Sequence, residues 1–370
     1  MGMNIVILGL SITSSWGNGH ATTYRGLVRE LSERGHRVHF LERNLPWYAQ
    51  NRDSATLPYC RVSVYKDLDE LKEQFGEEIR DADLVMLGSY VPDGAVVGEW
   101  MVGVSKGLKA FYDIDTPVTI EKLKSGDCAY LRPDLIPRFD MYLSFTGGPV
   151  LDRLERAYGA KSALPLYCSV DPALYYPEQK DSAWDLGYLG TYSSDRQDSL
   201  NILLVSPASR WAEGRFVVAG PQFPPLIVWP PNVRRIDHIA PPDHRGFYNS
   251  LRFTLNVTRS SMVRAGYSPS VRIFEAAACG TPIITDPWDG LDHFFVPGEE
   301  ILPVRSADEV LDILKNMPEE RITEISTRAR EKVLASHTAK HRAEELERYV
   351  MERWAGKSGI RRRRAGMADV

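Results

Sequence analysis

Residues 268–286 read SPSVRIFEAAACGTPIITD. Ser268 followed by Pro269 predicts a helix start, with serine as N-cap and proline at the first helical position. The helix is expected over about 269–278, with Gly280 near its end. Val271, Phe274 and Ala278 share a face that reads as core. Arg272 and Glu275 lie three apart, side by side, elsewhere on the helix surface. The following PIITD reads as a buried strand, which makes the helix internal to a domain. A plain alternative is an exposed Arg–Glu pair. Three features point further, the buried strand being the first. The helix follows a long loop, so its N-terminus can attract phosphate. The alanines at 276–278 allow close backbone approach. A carboxylate here can accept from two vicinal ribose hydroxyls, and an arginine can pair with a diphosphate.

Outward from this stretch, short apolar runs alternate with helical patterns. NIVILGL (4–10), RVHFL (37–41), LVMLG (84–88), LKAFYDID (108–115), FDMYLSFTG (139–147) and ALPLY (163–167) read as strands. Continuous apolar runs of this length fit a parallel sheet covered on both faces. Helices are expected at 20–34, near 97–106 and at 149–158. A Pro- and Tyr-rich segment, 168–184, reads as a connection. A second series follows, with strands at 185–191, 215–220, 233–239 and 253–257 and helices at 199–207, 243–251 and 307–315. The charged stretch 319–354 reads as mostly helical. The expected fold class is α/β, with two Rossmann-like doubly wound domains facing a cleft. The expected boundaries are 1–167 and 168–335, then a helix at 336–355 crossing back to the N-terminal domain and a basic, disordered tail at 356–370.

A chain of 370 residues suits two domains. Its formal net charge of -4 carries no global nucleic-acid signature. Cys60, Cys128, Cys168 and Cys279 are scattered without zinc-ligand spacing, which reads as reduced thiols in a cytoplasmic protein. No stretch is long and apolar enough for a membrane span. Arg361, Arg362, Arg363 and Arg364 read as a solvated end; peripheral contact with an acidic membrane surface is the alternative.

The segment SPSVRIFEAAACGTPIITDPWDGLDHFFVPGEEI resembles the donor-site segment of two-domain, GT-B fold glycosyltransferases. It is most similar to the spore-maturation CgeB-like branch of the group-1, family-4-like enzymes. GNGHATTYRGLVRELSERGHRVHFLE resembles the N-terminal glycine loop, helix and strand of that fold. CSVDPALYYP resembles its linker, and GYLGTYSSDR its first C-domain loop. The resemblance spans about 4–350. It implies hexosyl-type transfer from a nucleotide-diphosphate sugar, UDP among the nucleotides, to a saccharide, lipid-linked or small-molecule acceptor. No cofactor or metal is implied. Glu275 matches the glutamate that holds the donor ribose, and Arg196 the basic residue that meets the diphosphate. Gly17 and Gly19 match the loop that the sugar phosphate approaches. Thr191, Ser270, Val271 and Arg272 complete the expected donor site. The family-4 pattern has a second glutamate eight residues before the first; here that position is Tyr267, which leaves retention or inversion open.

His20 opens the first helix after the glycine loop. It reads as a general base on the acceptor, as a phosphate ligand, or as a capping histidine. Asp113 and Asp115 end a strand and are the other catalytic candidates; the competing readings are a metal pair and a turn cap before Pro117. His238 and His244 read as loop and cap structure. Three rivals remain: a nucleotide-sugar epimerase, a non-catalytic nucleotide- or sugar-binding protein, and an NAD(P) oxidoreductase. The last would use Glu42 at the end of the second strand, but GNGHAT lacks the third glycine and lies too far past its strand.

Overall fold

The computed structural model describes residues 2–16, 18, 20–54, 56–179 and 181–365, with side chains to residue 356. The chain divides into two compact units. One comprises Met1–Tyr167 with Ala339–Val370, and the other Cys168–Thr338.

The first unit holds seven parallel strands: β1 (Asn4–Gly9), β2 (Arg37–Arg43), β3 (Arg61–Tyr65), β4 (Leu84–Gly88), β5 (Leu108–Asp113), β6 (Met141–Ser144) and β7 (Ala163–Pro165). Their order is β3-β2-β1-β4-β5-β6-β7. Ile5 to Leu8 and Leu84 to Leu87 are fully buried, which is why these apolar runs take the centre of a sheet covered on both faces. The order reverses between β1 and β4, and the crevice beyond their carboxyl ends is the usual ligand position in such sheets.

The second unit holds six parallel strands: β8 (Trp184–Leu189), β9 (Phe216–Ala219), β10 (Val233–Ile236), β11 (Leu251–Asn256), β12 (Ile283–Thr285) and β13 (Leu302–Pro303). Their order is β10-β9-β8-β11-β12-β13, so the reversal lies between β8 and β11. The α/β fold with two doubly wound parallel sheets is as expected.

Several elements differ from the sequence reading. β3 and the Leu68–Asp81 helix, capped by the Asp67 side chain, had not been anticipated. The expected strand 108–115 ends at Asp113, and Asp115 already stands at the N-cap position of the Thr116–Ser125 helix. The helix near 199–207 is part of a longer run, Ser194 to Arg210, with one π turn over Asn201–Val205. The last helix, Ala339–Ala365, continues through the first ten residues of the expected disordered tail. It packs on the His20–Glu33 helix, where Ala339 Cβ would lie 3.0 Å from a Cβ on Gly26. Arg34 binds Glu344 and Glu347, and Tyr349 donates to the Pro165 carbonyl at 2.9 Å.

Candidate functional site

The opening stretch folds as a helix over Val271–Ala278, two residues later than expected. Ser268-Pro269-Ser270 offers two serine caps; Ser270 takes the N-cap position, with extended backbone. Arg272 and Glu275 are not a surface pair. Both are buried, at 8% and 4% exposure. Ala276, Ala277 and Ala278 are wholly buried, and the helix packs against the Glu319–Ser336 helix. Small side chains are what let that neighbour approach.

Arg272 reaches the carboxyl edge of the sheet. Its Nε donates to the Leu189 carbonyl at the end of β8, and Nη1 donates to Asn256 Oδ1, 2.7 Å away, at the end of β11. Its guanidinium lies over the Tyr188 ring. Gly190 makes this possible: a Cβ there would sit 2.6 Å from Arg272 Nη2. Arg272 therefore spans the β8/β11 reversal.

Two more arginines gather at this edge. Arg196 follows β8 and donates to the Thr191 carbonyl at 2.6 Å, while its buried Nε meets no acceptor among the described residues. Burial pushes the Arg196 pKa down; Arg272 and Arg259 add to that by repulsion, and Tyr188 and Asp195 oppose it. Arg259, just after β11, was not singled out from the sequence. The Ser270 hydroxyl donates to Asn256 Oδ1 at 2.9 Å and makes no cap bond to the helix. The first turn of that helix carries no acidic side chain. First-turn amides and clustered guanidiniums, partly desolvated, are groups able to attract an anion.

Glu275 lies one turn further along. Its Oε2 accepts from the Tyr248 hydroxyl at 3.1 Å, and Tyr175 also hydrogen-bonds the carboxylate. Burial raises the Glu275 pKa, while His244, the two tyrosines and Arg272 pull it back. The tyrosines were read as linker and helix residues; nothing in their spacing marks them as partners of this carboxylate. His244 keeps Nε2 toward the Ile239 carbonyl at 3.2 Å. Asp286 ties the ends of β11 and β12 together by accepting from Thr258 N and Oγ1. Tyr267, standing where the second glutamate was expected, has a left-handed backbone with φ 49°. For a bulky residue that is strained, and such strain concentrates at functional sites.

In the first unit, Asp113 is fully buried. It accepts from Tyr142 Oη at 2.5 Å, Thr119 Oγ1 at 2.8 Å and Asp115 N at 3.2 Å. A carboxylate enclosed in this way has both oxygens committed to the protein's own donors, unlike the open group the sequence reading expected. Burial still raises its pKa to about 6. Asp115 stands at the N-cap position of the next helix without a side-chain cap bond and accepts from Tyr90 Oη at 2.9 Å. Tyr90 follows β4 and has a left-handed backbone, φ 65°. His20 packs edge-on against Phe145, with ring centroids 5.9 Å apart. Gly17 and Gly19 lie outside the described residues.

The loop after β1 is held by an unanticipated network. Glu42, 1% exposed, accepts from Ile12 N at 2.7 Å, Thr13 N at 3.2 Å and Thr13 Oγ1 at 2.5 Å. The oxidoreductase reading needs this carboxylate for a ribose, and here it is committed to the protein's own loop. Among the described residues, no group of three or more His, Cys, Asp or Glu is placed to hold a metal ion. No described helix is long and apolar enough to cross a membrane. The side chains of Arg361, Arg362, Arg363 and Arg364 lie outside the described ones.

Residues 196–348 match the family model Glyco_trans_1_2, described as glycosyl transferase-like. Among solved structures, sucrose-phosphate synthase from Thermosynechococcus elongatus is similar, with TM-score 0.66 and 15% identity over 96% of this chain and 100% of that one. HepE from Anabaena, solved with UDP and glucose, has TM-score 0.68 and 12% identity, covering 95% and 100%. AviGT4, a glycosyltransferase involved in avilamycin A biosynthesis, has TM-score 0.62 and 17% identity, covering 96% and 98%. No curated protein matches the chain. Residues 196–348 are thus similar to a glycosyl transferase-like family model, and nearly the whole chain shares the two-domain GT-B fold of these structures. The resemblance read from the donor segment is borne out at that level, and the CgeB-like branch is not distinguished.

Proposed function

We propose that the protein transfers a sugar from a nucleotide-diphosphate donor to an acceptor hydroxyl, with the nucleotide on the second unit. The observation that carries this is the arginine cluster. Arg272 and Arg259 both lie near enough to repel Arg196 at the β8/β11 reversal, where Arg272 bridges the two strand ends. Partly buried like charges are costly, and a diphosphate relieves that cost while accepting several charge-assisted hydrogen bonds. Ser270, Val271 and Thr191 supply backbone and hydroxyl groups beside it. Glu275 takes the ribose hydroxyls. Uridine is the proposed base, since HepE and an α-glucosyltransferase of the same fold were solved with UDP.

As the leaving group departs, the three guanidiniums and the helix N-terminus stabilise the charge that develops on the diphosphate. Turnover is therefore proposed to persist in excess EDTA. Asp115 and His20 are the groups offered to the acceptor by the first unit, with Tyr90 orienting Asp115 through its hydroxyl. The direct test is a thermal-shift series with UDP, UDP-sugars and NADH. A ligand at 100 times its dissociation constant stabilises by about 2.7 kcal/mol. UDP and at least one UDP-sugar are expected to raise the melting temperature and NADH to leave it unchanged; the reverse pattern contradicts the proposal.

A further inference from the structure

Of the eight tryptophans in the chain, Trp16 and Trp47 are the two that are exposed, each at 49%. Their places are not random. Trp16 follows β1 in the loop that leads to His20, and Trp47 lies in the Pro46–Ala49 turn of helix that follows β2. β1 and β2 are neighbours in the sheet, so both indoles stand at the same carboxyl edge.

A hydrogen-bonded path joins the two backbones. Trp16 N donates to Ser14 Oγ at 3.3 Å, Ser14 Oγ donates to the Asn51 carbonyl at 2.7 Å, and Asn51 Nδ2 donates to the Trp47 carbonyl at 2.7 Å. Asp53 adds a second brace. It accepts from Ser15 N and Oγ and from Arg25, which also donates to the Ile12 carbonyl at 2.8 Å. With Glu42 holding Ile12 and Thr13, the stretch from Ile12 to Trp16 is braced by two carboxylates. Fixing a backbone beneath two half-exposed indoles costs conformational entropy, and no buried core is gained at their exposed faces. The arrangement makes sense as a prepared surface, because a ligand then need not order it on binding.

We infer that Trp16 and Trp47 are stacking platforms for two rings of a saccharide acceptor. This rests on the glycosyl-transfer reading above. The surroundings choose the ligand class. Asp53, bonded to Ser15 next to Trp16, and Arg52, on the segment after the Trp47 turn, are both exposed, and Arg52 donates to Asn44 Oδ1 at 3.2 Å. A lipid chain or an apolar protein face would meet these charged groups unfavourably. A pyranose ring suits both features: its C–H face lies on an indole while its hydroxyl rim meets carboxylate, guanidinium and amide. Aromatic side chains with polar neighbours are the usual lining of sites for such mixed ligands.

The test uses the full chain, titrated with maltotriose, cellotriose and chitotriose and followed by intrinsic tryptophan fluorescence and saturation-transfer NMR. At least one trisaccharide is expected to bind. Trp16→Ala and Trp47→Ala are each expected to raise its Kd about tenfold or more, and Trp47→Phe, which keeps a ring, by about threefold or less. Every variant should remain cooperatively folded in urea, with a lowered midpoint in the alanine variants because each indole is half buried. In parallel, UDP should raise the melting temperature equally in wild type and in the Trp16→Ala/Trp47→Ala double variant. Saccharide binding unchanged in the double variant overturns the platform, as does no binding of any trisaccharide while UDP still binds. A dimer that the double variant dissolves also overturns it, by assigning the indoles to a second copy. Loss of the UDP response in wild type removes the donor reading and the platform with it.

Discussion

Arg272 and Asn256 are joined by a 2.7 Å hydrogen bond from Nη1 to Oδ1, and the same oxygen accepts from Ser270. One amide oxygen thus fixes both the guanidinium and the N-cap residue of the helix behind it. Arg272→Ala leaves the Leu189 carbonyl and Asn256 Oδ1 short of a buried donor. The expected cost is roughly 1.5–3 kcal/mol of stability, the scale for a hydrogen bond to a charged group. Urea unfolding measures it. Nucleotide affinity should fall as well, because a cation is lost from the proposed anion site; an unchanged affinity would assign Arg272 to structure alone.

His20 and Asp115 separate by kinetics. An acceptor hydroxyl gains about 10²–10⁴-fold from a positioned base. If His20 is that base, His20→Ala lowers kcat by about 100-fold or more with little change in donor affinity. If it contacts the donor phosphate, affinity falls together with rate. A variant with wild-type values in both removes His20 from the site and leaves Asp115 as the group to replace next.

Asp113 predicts a pH dependence. Its folded-state pKa of about 6 lies above the 3.8 of an ordinary aspartate, chiefly through burial. For a carboxyl raised on folding, the cost of holding the charge is absent below the unfolded value and complete above the folded one. Stability from this group is therefore lost as pH rises from about 4 to about 6, by about 3 kcal/mol in all. Asp113→Asn removes the titration. The stability of wild type relative to the variant should fall across that window in urea experiments at stepped pH, and a flat difference would contradict the burial argument.

Much of the fold was legible because buried parallel strands leave continuous apolar runs. β1, β4 and β11 were found that way. β3 was missed because RVSVY mixes exposed and half-buried positions and offers no such run. The donor segment was legible through Ser270, Arg272 and Glu275 as residue types, but their burial was not. Periodicity places Arg272 off the core face; only the sheet edge, with Leu189 and Asn256 as acceptors and Gly190 leaving room, makes a buried guanidinium affordable. Tyr175 and Tyr248 lie 100 and 27 residues from Glu275, and no local pattern connects them. Glu42 was noticed for the wrong reason. Its place at a strand end suits a ribose ligand, and only the loop amides of Ile12 and Thr13 show where the carboxylate goes.

The central claim is that Glu275 holds the nucleotide on the second unit. Its carboxylate is buried rather than set in open solvent, so removing it outright would also strip Tyr175 and Tyr248 of their acceptor. Glu275→Gln keeps the volume and one acceptor oxygen while removing the charge, and Glu275→Ala serves as the complete deletion. Calorimetric titration of both with UDP, alongside urea unfolding, is the most direct measurement. The expected result is weaker UDP binding by roughly 1.5–3 kcal/mol in Glu275→Ala, with a smaller loss in Glu275→Gln. UDP affinity equal to wild type in a folded Glu275→Ala protein would contradict the claim and leave the Tyr175–Glu275–Tyr248 cluster as structure alone.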